Sequence, residues 1–276
     1  MCVTCGCSDD GETKIINLET DEAEHHHTHT LSDGTVITHS HSHDTHIEAP
    51  QIHAKIHNTT ISLEQEILAK NNLLAAQNRG WFKGRNILAL NLMSSPGAGK
   101  TTLLTRTIND LKNQLSISVI EGDQETANDA KKIKETGSKV IQINTGTGCH
   151  LDASMIERGL QQLNPPLNSV LMIENVGNLV CPALFDLGEL AKVVILSVTE
   201  GEDKPIKYPH MFRASNIMII TKIDLLPYVD FDVQKCIDYA RQINPQIQIF
   251  QVSATTGTGL EKWYAWLIEN LKICQR

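Results

Sequence analysis

Ser94-Ser95-Pro96-Gly97-Ala98-Gly99-Lys100-Thr101-Thr102 constrains the fold of this chain more than any other stretch. It follows a mainly apolar run, residues 87–93, and leads into an amphipathic pattern that begins at Lys100 and ends near residue 113. The loop therefore sits where a buried strand gives way to a helix. Small residues there let backbone N–H groups converge on phosphates, Lys100 supplies a point charge, and the Thr101 hydroxyl can ligate Mg²⁺. Gly97, Ala98, Gly99, Lys100, Thr101 and Thr102 are thus candidate nucleotide-binding residues, with Ser94 standing where the G-x-x-x-x-G-K-[ST] pattern has its first Gly.

The rest of the chain repeats this alternation. Short β-branched runs at residues 117–120, 140–143, 170–173, 193–198, 217–220 and 247–252 are interleaved with helical periodicity at about residues 126–135 and 152–163. Runs that are apolar on both faces belong to a buried parallel sheet covered by helices on each side. Ahead of them, Ser62-Leu63-Glu64-Gln65 forms a capping box for a helix running to about Asn78.

Two later strand ends select the base. Thr221-Lys222-Ile223-Asp224 closes the run at residues 217–220, and Ser253-Ala254 closes the run at residues 247–252. A carboxylate at such an end accepts both N1–H and N2–H₂ of guanine, whereas adenine has no N1–H and leaves it unpaired. Asp224 is the expected specificity residue, Lys222 lays its stem along the purine, and the backbone at Ser253 and Ala254 donates to guanine O6. In this order behind a phosphate loop, these elements point to a GTPase. Asp123 and Glu174 end the second and fourth core strands and are expected, with Lys100, on the magnesium and catalytic side, their separate roles open. The expected fold class is α/β: a P-loop GTPase with a mainly parallel sheet flanked by helices over residues 61–276. A disordered, Cys- and His-rich metal-binding arm over residues 1–60 is expected to precede it.

Composition divides the chain at the same place. The 276 residues carry a formal net charge of −8. Residues 1–60 hold ten of the 32 Asp and Glu but two of the 24 Lys and Arg, so the excess lies in the arm and the body is balanced. The arm has few large apolar side chains and no sustained period, so burial cannot offset its ordering entropy. Neither part supplies the basic footprint of a nucleic-acid binder. No apolar run reaches the ~18–20 residues of a membrane span, and the first ten residues lack the basic and apolar regions of a signal peptide. The expected location is the cytoplasm, where thiols stay reduced and the seven Cys read as metal or redox groups rather than disulfides.

Three sets of soft donors follow. Cys2, Cys5 and Cys7 wrap around Gly6 as a thiolate site for Zn²⁺, Ni²⁺ or Cu⁺, with a tail His or the Cys2 α-amine as a fourth donor. His25, His26, His27, His29, His39, His41, His43 and His46 form a dispersed tract of interchangeable weak sites suited to storage or capture. Inside the body, Cys149-His150 follows the third core strand and Cys181 the fourth, both leaving the sheet edge that carries the phosphate loop. Two thiolates and an imidazole leave a tetrahedral shell one ligand short, to be completed by water or a second subunit. Cys236 and Cys274 fall on amphipathic helices as core or surface thiols, and His210 is structural.

With these motifs the chain resembles the hydrogenase maturation GTPases of the HypB type. The likeness runs through residues 94–102, 121–130, 148–153, 174–182, 199–209, 221–232 and 253–259. The tip Cys2-Val3-Thr4-Cys5-Gly6-Cys7 resembles the N-terminal nickel motif of that family, and Ser94 matches the family's own loop variant. The resemblance implies slow GTP hydrolysis, nucleotide-dependent homodimerisation and a regulatory metal site at Cys149, His150 and Cys181. It further implies nickel insertion into nickel–iron hydrogenase, with a zinc-containing chaperone of the HypA type and the hydrogenase large subunit as partners. GTP, Mg²⁺, Ni²⁺ and Zn²⁺ are the implied ligands. A urease-type nickel-insertion GTPase fits the three-Cys tip and the paired Cys149-His150 less well, and a nickel store with a vestigial nucleotide domain is the other alternative.

Overall fold

The computed structural model describes residues 14–17, 51–124 and 128–274, with side-chain detail from residue 65. Strands β1 (Lys14–Asn17), β2 (Leu88–Ser94), β3 (Ile117–Asp123), β4 (Lys139–Asn144), β5 (Val170–Glu174), β6 (Ala191–Ser197), β7 (Ile217–Thr221) and β8 (Gln248–Gln251) form one sheet in the order β1-β4-β3-β5-β2-β6-β7-β8. β2 to β8 run parallel, and β1 joins the β4 edge antiparallel, Lys14 opposite Asn144. The helices are α1 (Gln51–Gly84), α2 (Lys100–Leu111), α3 (Asn128–Lys134), α4 (Ala153–Leu163), α5 (Cys181–Leu184), α6 (Lys204–Lys207), α7 (Pro209–Ala214), α8 (Val233–Ile243) and α9 (Leu260–Cys274), with a 3₁₀ turn at Ile223–Tyr228.

The strand composition accounts for this layering. Every residue of β2, Leu-Ala-Leu-Asn-Leu-Met-Ser, is buried, and so is every residue of β5 and β7. Alternate side chains then feed opposite faces. Leu88, Leu90 and Leu92 pack with Leu103, Leu104 and Ile108 of α2 and Trp263 of α9. Ala89 and Ile120 pack with Ile156 of α4 and Phe82 of α1, and Met93 packs with Phe212 of α7 and Ile237 of α8. The buried Trp263 indole N–H donates to Thr107 Oγ1 at 3.2 Å, which satisfies its one polar atom. Asp152 and Asp232 cap α4 and α8, accepting from Met155 N at 2.8 Å and Lys235 N at 2.9 Å. β2 stands between β5 and β6, where the winding of the chain reverses, and its carboxyl end is the crevice position of an open α/β sheet.

Two sequence expectations differ from the structure. Order was expected from Ser62, but α1 begins at Gln51 directly after Pro50, and the strand Lys14–Asn17 lies inside the expected arm. A strand that pairs through its backbone at a sheet edge needs no apolar period. The added stretch, residues 51–61, holds Gln51, Ala54 and Lys55 but also His, Asn, Thr and Ile, which favour helix less, so neither period nor propensity marks this part of α1. Among the described residues, no helix is long and apolar enough to cross a membrane.

Candidate nucleotide site and metal centre

The phosphate loop is shaped by two left-handed glycines. Gly97 has φ 78° and Gly99, the N-cap of α2, has φ 89°, values that side chains resist. The end of β7 is fastened to this loop: Thr221 Oγ1 donates to Ala98 O at 2.6 Å and Lys222 Nζ donates to Gly97 O at 2.7 Å. Lys222 itself sits at φ 60°, a strained backbone for a residue with a side chain, held where the motif requires it. Thr102 begins the exposed face of α2.

Lys100 and Thr101 converge on one carboxylate. Thr101 Oγ1 donates to Glu174 Oε1 at 2.6 Å, and Lys100 Nζ lies 3.5 Å from the same oxygen. Glu174 is 2% exposed, and its Oε2 has no hydrogen-bond partner. Burial raises the Glu174 pKa, against the pull of Lys100 and Thr101. A hydroxyl and an orphaned carboxylate oxygen are hard donors, so these residues fit Mg²⁺. Asp123 ends β3 at the same sheet edge, its Oδ1 accepting from Gln124 N at 2.8 Å and its carbonyl from Thr145 N at 2.9 Å. On its strand, Glu121 is also buried, and its pKa is pushed up to about 9 by burial, reinforced by Glu174, Asp123 and Asp129.

At the base end, Asp224 lies in the 3₁₀ turn after Lys222. Ile223 N donates to Val252 O at 3.3 Å, bringing Asp224 beside the loop of Ser253 and Ala254. That loop is braced by Thr256 N donating to Ser253 Oγ at 3.1 Å and by Arg106 Nη1 donating to Ala254 O at 3.1 Å. Arg106, on α2, carries no motif signal and was not anticipated from the sequence.

Cys149, His150 and Cys181 come together. Their ligand atoms all lie within 4.8 Å of one another, and Cys149 Sγ is 3.6 Å from His150 Nδ1. Zinc–sulfur bonds of about 2.3 Å place tetrahedral donors roughly 3.7 Å apart, so a small closure would let these three donors hold a metal ion. Phe185 stacks on the His150 ring at 3.9 Å, and burial lowers the His150 pKa to about 4, leaving a neutral imidazole with a free lone pair at pH 7. Cys236 is a core thiol with its pKa pushed up to about 12 by burial, and Cys274 is raised for the same reason. Cys2, Cys5, Cys7 and the tract His25, His26, His27, His29, His39, His41, His43 and His46 lie outside the described residues.

A polar network that the sequence did not signal joins the two sites. Asn175, next to Glu174, is fully buried; its Oδ1 accepts from Leu151 N at 3.1 Å and Val176 N at 3.0 Å, and its Nδ2 donates to Asn91 Oδ1 at 3.1 Å. From α1, Asn71 Oδ1 accepts from Ala153 N at 2.9 Å, and Asn78 Nδ2 donates to Ala153 O at 2.9 Å and Leu187 O at 3.1 Å. The backbone beyond His150 and the backbone beyond Phe185 are thereby tied to one helix.

A strand, a left-handed glycine loop and a helix at the carboxyl edge of a parallel sheet define a P-loop nucleotide-binding protein. Residues 88–251 match the family described as CobW/HypB/UreG, nucleotide-binding domain. The hydrogenase maturation factor HypB of Rhizobium leguminosarum bv. viciae is 60% identical over 207 residues, covering 75% of this chain and 69% of that protein. HypB of Cupriavidus necator is 45% identical over 320 aligned positions, covering 97% of this chain and 88% of that protein. The crystal structure of HypB from Helicobacter pylori in complex with nickel has a TM-score of 0.69 at 38% identity, over 74% of this chain and 95% of that one. The chain belongs to the HypB hydrogenase maturation factors of the CobW/HypB/UreG family.

Proposed function

We propose that this chain is a GTP-hydrolysing nickel carrier that helps insert nickel into nickel–iron hydrogenase. The observation that carries the reading is a single stretch, residues 174–181. It starts at Glu174, which engages Lys100 and Thr101, and ends at Cys181, which joins Cys149 and His150. Between them, Gly177 lies against the phosphate loop: a Cβ there would stand 3.1 Å from Pro96 Cγ and 3.2 Å from Pro96 N. The bound nickel of the Helicobacter relative supports Ni²⁺ as cargo here.

GTP is the substrate. Its phosphates receive the loop N–H groups of Gly97 to Thr102 and compete with Glu174 for the Lys100 ammonium. Asp224 accepts from guanine N1–H and N2–H₂, Lys222 backs the purine, and the Ser253–Ala254 backbone faces O6. Water attacks the γ-phosphorus, the bond to the β-bridging oxygen breaks, and GDP and phosphate leave. Thr101 and Glu174, with Asp123 at the same edge, would hold Mg²⁺, which when bound neutralises developing phosphate charge. Loss of the γ-phosphate frees Lys100 to return to Glu174, and residues 174–181 pass that change to the metal ligands.

Ni²⁺ is taken by Cys149, His150 and Cys181, with water or a second copy as fourth ligand, and Zn²⁺ competes for the same donors. Val180 and Leu184, both exposed beside Cys181, offer apolar surface for nucleotide-dependent homodimerisation or for docking the HypA-type chaperone and the hydrogenase large subunit. Cys2, Cys5, Cys7 and the His tract collect the cation in the cytoplasm. The test is Ni²⁺ affinity, release and partner binding in the GDP form against a non-hydrolysable GTP form, alongside hydrogenase maturation by Lys100→Ala. A difference of about fivefold or more in affinity is expected, with maturation lost. Equal affinity, release and partner binding in both forms, or unimpaired maturation, sinks the reading.

A further inference from the structure

β3 carries a buried carboxyl group that this reaction does not use. Glu121 pairs in register with Glu174 across the parallel β3–β5 ladder, so the two side chains share a face of the sheet. It is the α2 face, because Ile117 and Val119, alternating in step with Glu121, pack with Leu103 and Leu104. Glu121 is 3% exposed, and its Oε2 has no hydrogen-bond partner, as is also true of Glu174 Oε2. The charges that bear on it are Glu174, Asp123, Asp129 and Lys100. Lys100 contacts Glu174 and bears on Glu121 only from farther off, and a bound triphosphate would compete for that ammonium. Buried oxygens without partners are rare in proteins, and an ion or water that binds there is one of their causes.

We propose that Glu121 is a further carboxylate of the divalent-cation site that forms with the nucleotide, accepting hydrogen bonds from cation-bound water beside Glu174. The proposal rests on the nucleotide reading above. The row offers oxygen alone, which selects Mg²⁺ or Mn²⁺ and leaves nickel to the thiolate and imidazole set. Glu121 acts here as a positioning residue, one strand removed from the Thr101 and Glu174 contact.

The test uses the full-length protein loaded with GDP. Mn²⁺ binding is read from the EPR signal of the free ion, and release of a fluorescent GDP analogue is followed in Mg²⁺ and in EDTA. Glu121→Gln is expected to weaken Mn²⁺ binding about tenfold and to blunt the slowing of release by Mg²⁺, while analogue affinity in EDTA stays at the parental value. Glu121→Met, of similar volume and apolar, is expected to give the same loss and replaces the amide variant if that one does not fold. Parental Mn²⁺ affinity in either variant overturns the proposal, and so does a loss of analogue binding that is equal in EDTA and in Mg²⁺. A parent that fails to bind the analogue at all removes the nucleotide reading instead.

Discussion

Replacing Asn175 with Ala tests whether the network between the two sites holds them. The side chain is fully buried and serves three groups: Leu151 N at 3.1 Å, Val176 N at 3.0 Å and Asn91 Oδ1 at 3.1 Å. Each buried group left without a partner costs about 1–3 kcal/mol. Water entering the vacated volume recovers part of that, so the expected loss is about 3–5 kcal/mol. For a domain of this size each kcal/mol lowers Tm by roughly 2–4 °C, which places the variant on the order of 10 °C below the parent. Thermal unfolding by far-UV circular dichroism and urea titration, both free of metal and nucleotide, read the two quantities without ligand linkage. Ni²⁺ affinity should fall as well, because Leu151 follows His150 directly. A stability loss under about 1 kcal/mol refutes the argument, since even one orphaned group would then be unaccounted for.

If Asp224 accepts from guanine N1–H and N2–H₂ as proposed, Asp224→Asn puts a donor in its place; GTP affinity should drop about a hundredfold or more and xanthosine triphosphate, with oxygen at C2, should be preferred. Retained preference for GTP over the xanthine nucleotide would remove Asp224 from the base site. Cys181→Ser should weaken Ni²⁺ binding to a protein lacking residues 1–50 by more than about a hundredfold, checked by competition with a chromogenic chelator, and an unchanged constant would show that the ligand set forms elsewhere. Cys236 supplies a pH prediction. Its thiol pKa rises from 9.0 in a free chain to about 12 in the folded protein, so the folded state holds the proton more tightly. The stability this confers is whole below pH 9 and is lost as pH climbs toward 12, by up to about 4 kcal/mol. Urea midpoints for Cys236→Ala should therefore slope less steeply above pH 9 than those of the parent, and parallel slopes would count against burial as the cause.

The parallel core was legible because strands buried on both faces write their burial as nearly continuous apolar runs, and β2, β5 and β7 are such runs, broken within by Asn91 alone. The phosphate loop was legible because only small residues admit the conformation at Gly97 and Gly99. Placing Cys149, His150 and Cys181 at one sheet edge followed from strand order, but their approach to within 4.8 Å did not, since it depends on loops anchored from far along the chain. Asn71, Asn78 and Asn175 make those anchors with partners 24 to 115 residues away, and a polar residue bonded to distant backbone leaves no period to read. Thr221 was legible as part of the base motif but not its hydroxyl's role, which is to serve Ala98 O, 123 residues distant. Glu121 carries no signal in the sequence, because only the strand register sets it against Glu174.

The physical case for coupling turns on how little slack separates the two sites. Glu174 is bonded to Thr101, Asn175 makes three buried hydrogen bonds, and Gly177 lies close against Pro96, so residues 174–177 touch the phosphate loop at both ends. Cys181 begins α5 four residues farther on, with Pro182 limiting the turn, while α1 holds the backbone beyond His150 and Phe185. A segment clamped at both ends responds to a change at one end by shifting between discrete packings rather than by bending. Under the proposed function, a nucleotide that draws Lys100 off Glu174 would alter one end of this segment, and a metal that closes the thiolate set would alter the other. Linkage then requires reciprocity: whatever factor GTP imposes on nickel affinity, nickel imposes on GTP affinity, with coupling of about 1–3 kcal/mol for a change of this kind.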